Sequence, residues 1–238
     1  MNFFLGAIAW IFNGAHYGGA NGIDTRVVQH LAISAEVLVV SALIAIPLGY
    51  LVGHTGRGKA LTVALSGGVR ALPTLGLMII LALALGIGLE APFIAFVVLA
   101  VPSVLAGAYA GFEAIDRSTI DAARAVGMTP WQILIKVEVP LGLPLLIGGV
   151  RSASLQVIST VTLADYVGAG GLGHFLFLGL KTNDYPQMLA GSIVVIVLAL
   201  LSEIVFSVLQ RVVVPAGVSV SSTQIVRTRP LRSRSALG

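Results

Sequence analysis

The sequence predicts an all-α membrane protein that crosses the bilayer several times. Hydrophobic residues make up 57% of the 238 residues and charged residues only 10%, whereas a soluble domain carries about 25% charged residues. The mean hydropathy is +0.99. Several uncharged stretches are long enough to cross a hydrocarbon core of about 30 Å as helices. These observations exclude an ordinary soluble domain and predict a polytopic helical protein of about five spans.

The first two predicted spans differ in regularity. The first occupies residues 31–53 and is followed by a short basic turn at residues 53–59. The second lies in residues 61–88, which would measure about 42 Å as one straight helix. Two adjacent glycines and Pro73 within it indicate a bent or broken span. If this stretch crosses the membrane twice, the chain has six spans, which is the alternative to five.

Three more spans follow. Residues 91–112 are uncharged and would form a helix of about 33 Å, which makes them the clearest candidate. Residues 141–164 form the fourth span, interrupted by Arg151. Residues 185–209 form the fifth, with Glu203 near its end. The predicted membrane domain therefore occupies residues 27–212.

The two ends of the chain are predicted to lie outside this domain. Residues 1–26 begin with an apolar stretch that lacks a basic start and is too short to span, which predicts an interfacial segment. Residues 213–238 are rich in Ser and Arg and have no apolar period, which predicts a disordered basic tail. Its arginines could bind anionic lipid headgroups, or serve as a solvated topology determinant.

The distribution of basic residues predicts the orientation. With five spans, Arg26 and Lys181 fall on one side of the membrane. The other side receives Arg57, Lys59, Arg117, Arg124, Lys136, Arg211, Arg227, Arg229, Arg232 and Arg234. Because Lys and Arg concentrate on the cytoplasmic side, the second side is cytoplasmic. This places the N-terminus outside and the loop 113–140 in the cytoplasm, and it explains the basic charge without nucleic acid.

The segment 113–140 is the only long stretch between apolar runs that is rich in charge. Ser118 and Asp121 have the spacing of a capping box, in which two side chains satisfy free amides at the start of a helix. A short helix is therefore predicted to begin at Ser118. Apolar residues follow at helical spacing on one face, at Ile120, Ala123 and Val126.

A second short helix is predicted after a glycine elbow. Gly127 fits the left-handed position that ends a helix. Thr129, Pro130 and Gln132 then form a capping box with proline at the first helical position. Pro140 is expected to stop this helix. Its apolar face would hold Trp131, Leu134 and Ile135. Two such helices predict either a docking surface or a hairpin that merely lies on the bilayer, and the pattern alone does not favour one.

This segment resembles the "EAA" loop of the membrane subunits of ABC importers. The matching residues are Asp121-Ala122-Ala123, Gly127 and Val137-x-Val139-Pro140. The spacing is that of the family without a gap, with Asp in place of Glu and Val in place of Ile and Leu. The resemblance implies a coupling loop that inserts into a groove of a cytoplasmic ATPase. The coupling residues that it implies are Asp121, Ala122, Ala123, Gly127, Trp131 and Pro140.

The resemblance extends over residues 30–211. Residues 72–75, 150–153 and 167–173 look most like permeases for osmoprotectants such as glycine betaine and choline. The resemblance implies that the chain is a non-enzymatic permease subunit in a bacterial inner membrane. The implied partners are an ABC ATPase dimer, a second permease copy or paralogue, and an extracytoplasmic substrate-binding protein. The alternatives are a permease for another solute, such as methionine or a sulfonate, and a non-transporting scaffold. The chain has no phosphate-loop motif, so no cofactor is expected and ATP would bind the partner.

Four ionisable residues are predicted to lie within the spans. Buried charges in a bilayer usually face the bundle interior, water or a partner. Glu36 and Arg70 have matching depths near the middle, and Arg151 and Glu203 match toward the cytoplasmic half. Two structural ion pairs are therefore predicted, in preference to contacts with a solute.

The Gly-rich residues 167–173 are predicted to lie at the outer end of a span. They lack the Lys-Ser/Thr of a phosphate loop. They could form a mobile outer gate or an ordinary helix break, and the candidate gate residues are Gly168, Gly170, Gly171 and Gly173. The sequence has no paired His or Cys motif, so no metal site is predicted.

Overall fold

The computed structural model describes residues 2–213, and all its regular elements are helical. The predicted tail, apart from residue 213, lies outside the described residues. The α-helices are α1 Phe3–Ile11, α2 Ile23–Thr55, α3 Lys59–Arg70, α4 Thr74–Leu85, α5 Glu90–Glu113, α6 Arg117–Ala125, α7 Pro130–Ile133, α8 Val139–Thr160, α9 Gly173–Thr182 and α10 Tyr185–Val213. Short 3₁₀ segments occupy Gly14–His16 and Val161–Val167, and a π-helical turn occupies Leu134–Glu138.

The number of membrane-spanning helices agrees with the prediction. Among residues 2–213, four helical runs are long and apolar enough to cross a bilayer: α2, α5, α10 and the continuous run 130–167. The pair α3 and α4 makes a fifth span if counted together, with a bend of 85° between its halves. The predicted break is therefore present. Its cause is Pro73, which restricts the preceding residue to extended backbone and cannot continue the hydrogen-bond ladder of α3.

The N-terminal end of α2 extends beyond the predicted first span. The helix has 33 residues, about 50 Å, and begins at Ile23 rather than near residue 27. Asp24 in its first turn accepts a hydrogen bond from the Gly18 amide at 2.9 Å. The predicted boundary at residue 26 thus falls inside the first turn of α2. The separate helix α1 packs against α10, where the rings of Phe3 and Tyr185 lie 5.6 Å apart.

Helix α5 is the centre of the fold and packs against both α2 and α8. Glycines allow α5 and α8 to approach backbone to backbone. A Cβ atom on Gly107 would lie only 2.7 Å from the Cα of Gly149, and one on Gly111 would lie 2.6 Å from the carbonyl oxygen of Gly142. The buried side chains Val37, Phe96, Met78 and Val157 fill the adjoining core. The three helices form the frame that carries both the loop and the Gly-rich segment.

Candidate functional site

The N-cap of the first loop helix, α6, lies two residues earlier than predicted. Asp116 is its N-cap, and its Oδ1 atom accepts a hydrogen bond from the Ser118 amide at 2.9 Å. This bond holds the pKa of the Asp116 carboxyl below its usual range. The predicted Ser118 cap is wrong because an earlier carboxylate already satisfies the free amide. Asp121 lies inside the helix, where it accepts a hydrogen bond from Arg124 at 3.2 Å.

The glycine elbow after α6 has the predicted geometry. Gly127 has φ +82°, a value that side chains other than glycine rarely adopt. Its amide bonds to the carbonyl oxygen of Arg124 at 2.9 Å, and the Met128 amide bonds to that of Ala123 at 3.1 Å. No atom lies within 4 Å of the position that a Cβ would take. The requirement for glycine therefore comes from the backbone angle and not from crowding.

The second loop helix, α7, begins with the predicted capping box. The Gln132 amide donates to the Thr129 hydroxyl at 3.3 Å, and the Thr129 amide donates to the Gln132 side chain at 2.9 Å. Pro130 occupies the first turn, where its missing N–H has no helical partner to lose. This part of the loop is confirmed as predicted.

The prediction that Pro140 stops the second helix is wrong. A π-helical turn, Leu134–Glu138, joins α7 to α8, and Pro140 lies in the first turn of α8. The extra residue of a π turn changes the register of the hydrogen bonds, and proline is tolerated in a first turn. As a result, the helical path from residue 130 to residue 167 is unbroken. A displacement of the loop would therefore be transmitted to the membrane domain through one continuous helical run.

The loop exposes large apolar side chains. Val126 is 78% exposed and Trp131 is 68% exposed, and Ala122 on α6 is also exposed. Ala123 and Ile133 are buried and hold the loop together. The predicted single face with Ala123 and Val126 is therefore divided between interior and surface. Exposed large apolar side chains such as Trp131 and Val126 are typical of a protein-binding surface.

A polar network that the sequence did not indicate lies between the loop and the ends of α2 and α5. The His54 Nδ1 atom lies 2.5 Å from Glu138 Oε2, and Glu138 is buried. Glu113 at the end of α5 contacts Lys59 and Tyr109. These groups line a cavity of about 620 Å³ beside α6. His54 and Glu138 are too far apart in sequence for any periodicity to have linked them.

One of the two predicted intramembrane ion pairs is present. The Arg151 Nε atom donates to Glu203 Oε2 at 2.7 Å and joins α8 to α10. The predicted pair of Glu36 and Arg70 is wrong. Arg70 instead donates to the Ser103 hydroxyl at 3.4 Å. Glu36 lines a different groove, together with Glu90 at the start of α5. The two residues therefore lie beside different parts of α5, and the predicted common depth is wrong.

The Gly-rich segment is attached to α2. Gly168, Gly170 and Gly171 have positive φ values of 77°, 86° and 85°. A Cβ on Gly173 would lie 1.8 Å from the Thr162 carbonyl oxygen. The candidate outer gate therefore requires glycine at four positions, although a gating movement stays a prediction.

Two side chains of α2 hold this segment. The Gly171 amide donates to Gln29 at 3.0 Å, and the Leu172 amide donates to His30 Nδ1 at 3.3 Å. His30 is fully buried, and its Nε2 atom donates to the Ile158 carbonyl oxygen at 2.9 Å. The imidazole is thus neutral, with its proton on Nε2, and it links α2, α8 and the Gly-rich segment.

The fold is that of an integral membrane protein in which the exposed loop continues as a helix into the membrane domain. Residues 45–216 match the model of the family described as "Binding-protein-dependent transport system inner membrane component". This match covers well over half of the chain, and the chain belongs to that family. It is therefore a multi-pass membrane component of a binding-protein-dependent transport system.

Curated relatives align along most of the chain. The glycine betaine/carnitine/choline transport system permease protein OpuCB of Bacillus subtilis is 29% identical over 189 residues, which is 79% of this chain and 87% of the relative. The osmoprotectant import permease protein OsmW of Salmonella typhimurium is 31% identical over 198 residues, 80% of this chain and 91% of the relative.

A solved structure has the same fold. A chain of the MetNI methionine ABC transporter, in an inward facing conformation, superposes with a TM-score of 0.70 at 24% identity. The superposition covers 80% of this chain and 95% of the MetNI chain. The all-α architecture predicted from the sequence is thereby confirmed.

Proposed function

We propose that the chain is the permease subunit of an ATP-driven importer for osmoprotectants of the glycine betaine and choline type, in a bacterial inner membrane. One relative is named for glycine betaine, carnitine and choline and another for osmoprotectant import, and each aligns with about four fifths of the chain. The segments at residues 72–75, 150–153 and 167–173, which resemble osmoprotectant permeases, support the same solute class.

The observation that carries the proposed mechanism is the unbroken helical path from the loop into the membrane. Trp131 lies exposed at one end of the run 130–167, and Gly149 contacts α5 within it. A partner that binds Trp131 and Val126 would displace the continuous helical run 130–167, which is stiffer than a flexible linker. Because packed helices switch between discrete arrangements, such a push would favour either an inward-open or an outward-open state.

The proposed energy source is a pair of cytoplasmic ABC ATPases. The chain contains no Gly-x-x-x-x-Gly-Lys-Ser/Thr motif, so ATP would bind to the partner. The ATPase groove would receive the apolar surface formed by Ala122, Val126 and Trp131. Asp121 and Gly127 would set the shape of this surface, through the α6 helix and the elbow.

A second permease subunit, either another copy or a paralogue, completes the proposed assembly. Glu36 and Arg70 are both exposed on the surface of the single chain, although both lie within spans. Charges in a bilayer face water or protein because contact with lipid is costly. A second subunit would provide that environment and enclose a route for the solute. A substrate-binding protein on the outer side would deliver the solute, and the family description, which calls the transport system binding-protein-dependent, supports such a partner.

The proposal is tested by uptake into proteoliposomes that contain the permease, its ATPase and its binding protein. We expect accumulation of labelled glycine betaine that requires hydrolysable ATP and that unlabelled choline reduces. Methionine and a sulfonate serve as competitors for the alternative solutes. Uptake of methionine in place of glycine betaine, or uptake that is independent of ATP, would contradict the proposal.

A further inference from the structure

Arg70 lies where the second span breaks, near the middle of the membrane. Lys59, the first residue of α3, contacts Glu113 beside the loop. Arg70 follows about 17 Å further along the helix axis, roughly half of a 30 Å core. Beyond it the chain turns by 85° into α4. Within residues 2–213, Arg70 has no acidic side chain at ion-pair distance.

A hydrogen-bonded chain fixes one side of the Arg70 guanidinium. Its Nη2 atom donates to the Ser103 hydroxyl at 3.4 Å. Ser103 donates in turn to Gln156 Oε1 at 3.1 Å, and Gln156 Nε2 donates to the Leu99 carbonyl oxygen at 3.2 Å. Helices α3, α5 and α8 therefore position the Arg70 guanidinium. This group has five N–H donors, and the hydrogen bond to Ser103 uses one of them. The other donors are free to bind a ligand.

Arg70 also lines a groove of about 290 Å³ between α3 and α5. The polar side chains of α3 that line it recur at helical spacing, so they share one face of that helix. Other residues that line the groove include Thr62, Ser66, Ala106 and Tyr109. The wall of the groove is mostly apolar and the Tyr109 hydroxyl already donates to Glu113, so the Arg70 guanidinium is the charged group that the groove offers to a ligand.

We propose that this groove is a solute-binding position on the transport route, where Arg70 binds the carboxylate of a zwitterionic solute. The inference rests on the proposed importer function. A guanidinium forms charge-assisted, often bidentate hydrogen bonds with a carboxylate. Glycine betaine and choline share a trimethylammonium group, but only glycine betaine carries a carboxylate. The groove therefore favours zwitterions, and Arg70 repels a solute that is a cation alone.

The test measures both solutes in the assembled importer, reconstituted with its ATPase and saturating binding protein. Initial uptake rates of labelled glycine betaine and choline are compared among the wild type, Arg70→Gln and Arg70→Lys. Leu65→Ala is the matched control, because Leu65 is an exposed residue of the same helix that does not line the groove. Each rate is divided by the wild-type rate for the same solute, which removes the selectivity of the binding protein.

We expect Arg70→Gln to lower glycine betaine uptake roughly tenfold, because a hydrogen bond to a charged group is lost. Choline uptake should be retained or increased, Arg70→Lys should retain more glycine betaine uptake than Arg70→Gln, and Leu65→Ala should leave both rates unchanged. An equal fall for both solutes would assign Arg70 a structural role and overturn the inference. So would unchanged rates, or restoration of Arg70→Gln by Glu36→Gln, which would indicate an ion pair between two subunits.

The same experiment separates this inference from the proposed function. If the wild type imports glycine betaine with ATP and Arg70→Gln leaves the ratio of the two solutes unaltered, the inference about Arg70 fails alone. If the wild type imports neither solute, the proposed solute class fails, and the inference that rests on it fails too.

Discussion

The His54 imidazole contacts the Glu138 carboxylate at 2.5 Å and thereby joins the end of α2 to the π-helical turn of the loop. Glu138 is buried, whereas the His54 side chain is partly exposed to the cavity beside α6. The loop is therefore held to the membrane domain twice, by its covalent continuation into α8 and by this side-chain contact. The second attachment would make α2 and α8 move together when the loop is displaced.

Removal of this contact should weaken coupling without preventing ATPase binding. We expect Glu138→Ala to reduce uptake per bound ATPase about threefold to tenfold, because a buried hydrogen bond to a charged group is lost. Glu138→Gln keeps a hydrogen-bonding side chain and should have a smaller effect. The measurements are ATPase copurification and uptake on the same membranes. Loss of copurification in Glu138→Ala would assign the residue to docking instead of coupling.

The ion pair of Arg151 and Glu203 should stabilise the membrane domain. Arg151→Leu leaves the Glu203 carboxylate without its partner within the bilayer, where an unpaired charge costs about 3–5 kcal/mol. We expect a clear fall in the amount of folded protein. The double variant Arg151→Leu with Glu203→Leu should recover part of it, because no charge remains unpaired.

The assay for this pair is the monodisperse fraction after detergent extraction. Ser159→Ala is a suitable control, since its hydroxyl bonds only within its own helix. If the losses of the two single variants simply add in the double variant, the two residues do not act as a pair.

The orientation derived from basic residues gives a direct topological prediction. A reporter that is active only in the cytoplasm should work after Arg117 or Arg211 and fail after Glu90 or Lys181. In the structure, Glu90 is the first residue of α5 and Arg117 begins α6 just beyond the other end of α5, so one helix separates the two outcomes. An active reporter at Glu90 would be incompatible with five spans.

Local interactions made parts of the loop predictable from the sequence. The capping box of Thr129 and Gln132 and the left-handed Gly127 depend on residues within a few positions of each other. Their geometry is therefore encoded in short patterns. The same holds for the break at Pro73, where the chemistry of one residue decides the outcome.

Features that depend on distant contacts were not predictable. Pro140 resembles a helix stop, but the π turn before it is stabilised by Glu138 reaching His54 on another helix. Glu36 and Arg70 were predicted to share a depth, yet Glu36 lies beside Phe93 at the start of α5 and Arg70 lies beside Ala106 further along the same helix. Sequence spacing gives position along a helix, whereas the choice of neighbour depends on how the helices pack.

In the proposed function, the loop docks an ATPase through a surface whose shape depends on Gly127. Gly127→Ala forces a side chain into a left-handed backbone at a cost of about 1–2 kcal/mol. Gly148→Ala makes the same chemical change in a helix with open space around it. The spans are untouched by the first variant, so its membrane abundance should match that of the wild type.

The most direct measurement is pull-down of the ATPase by the wild type, Gly127→Ala and Gly148→Ala at matched permease abundance. Each kilocalorie lost lowers the binding constant about fivefold. We predict that Gly127→Ala retains about a fifth or less of the ATPase at subsaturating concentration, whereas Gly148→Ala behaves as the wild type. Equal pull-down and equal uptake for all three proteins would contradict the account and leave the loop as a hairpin on the membrane surface.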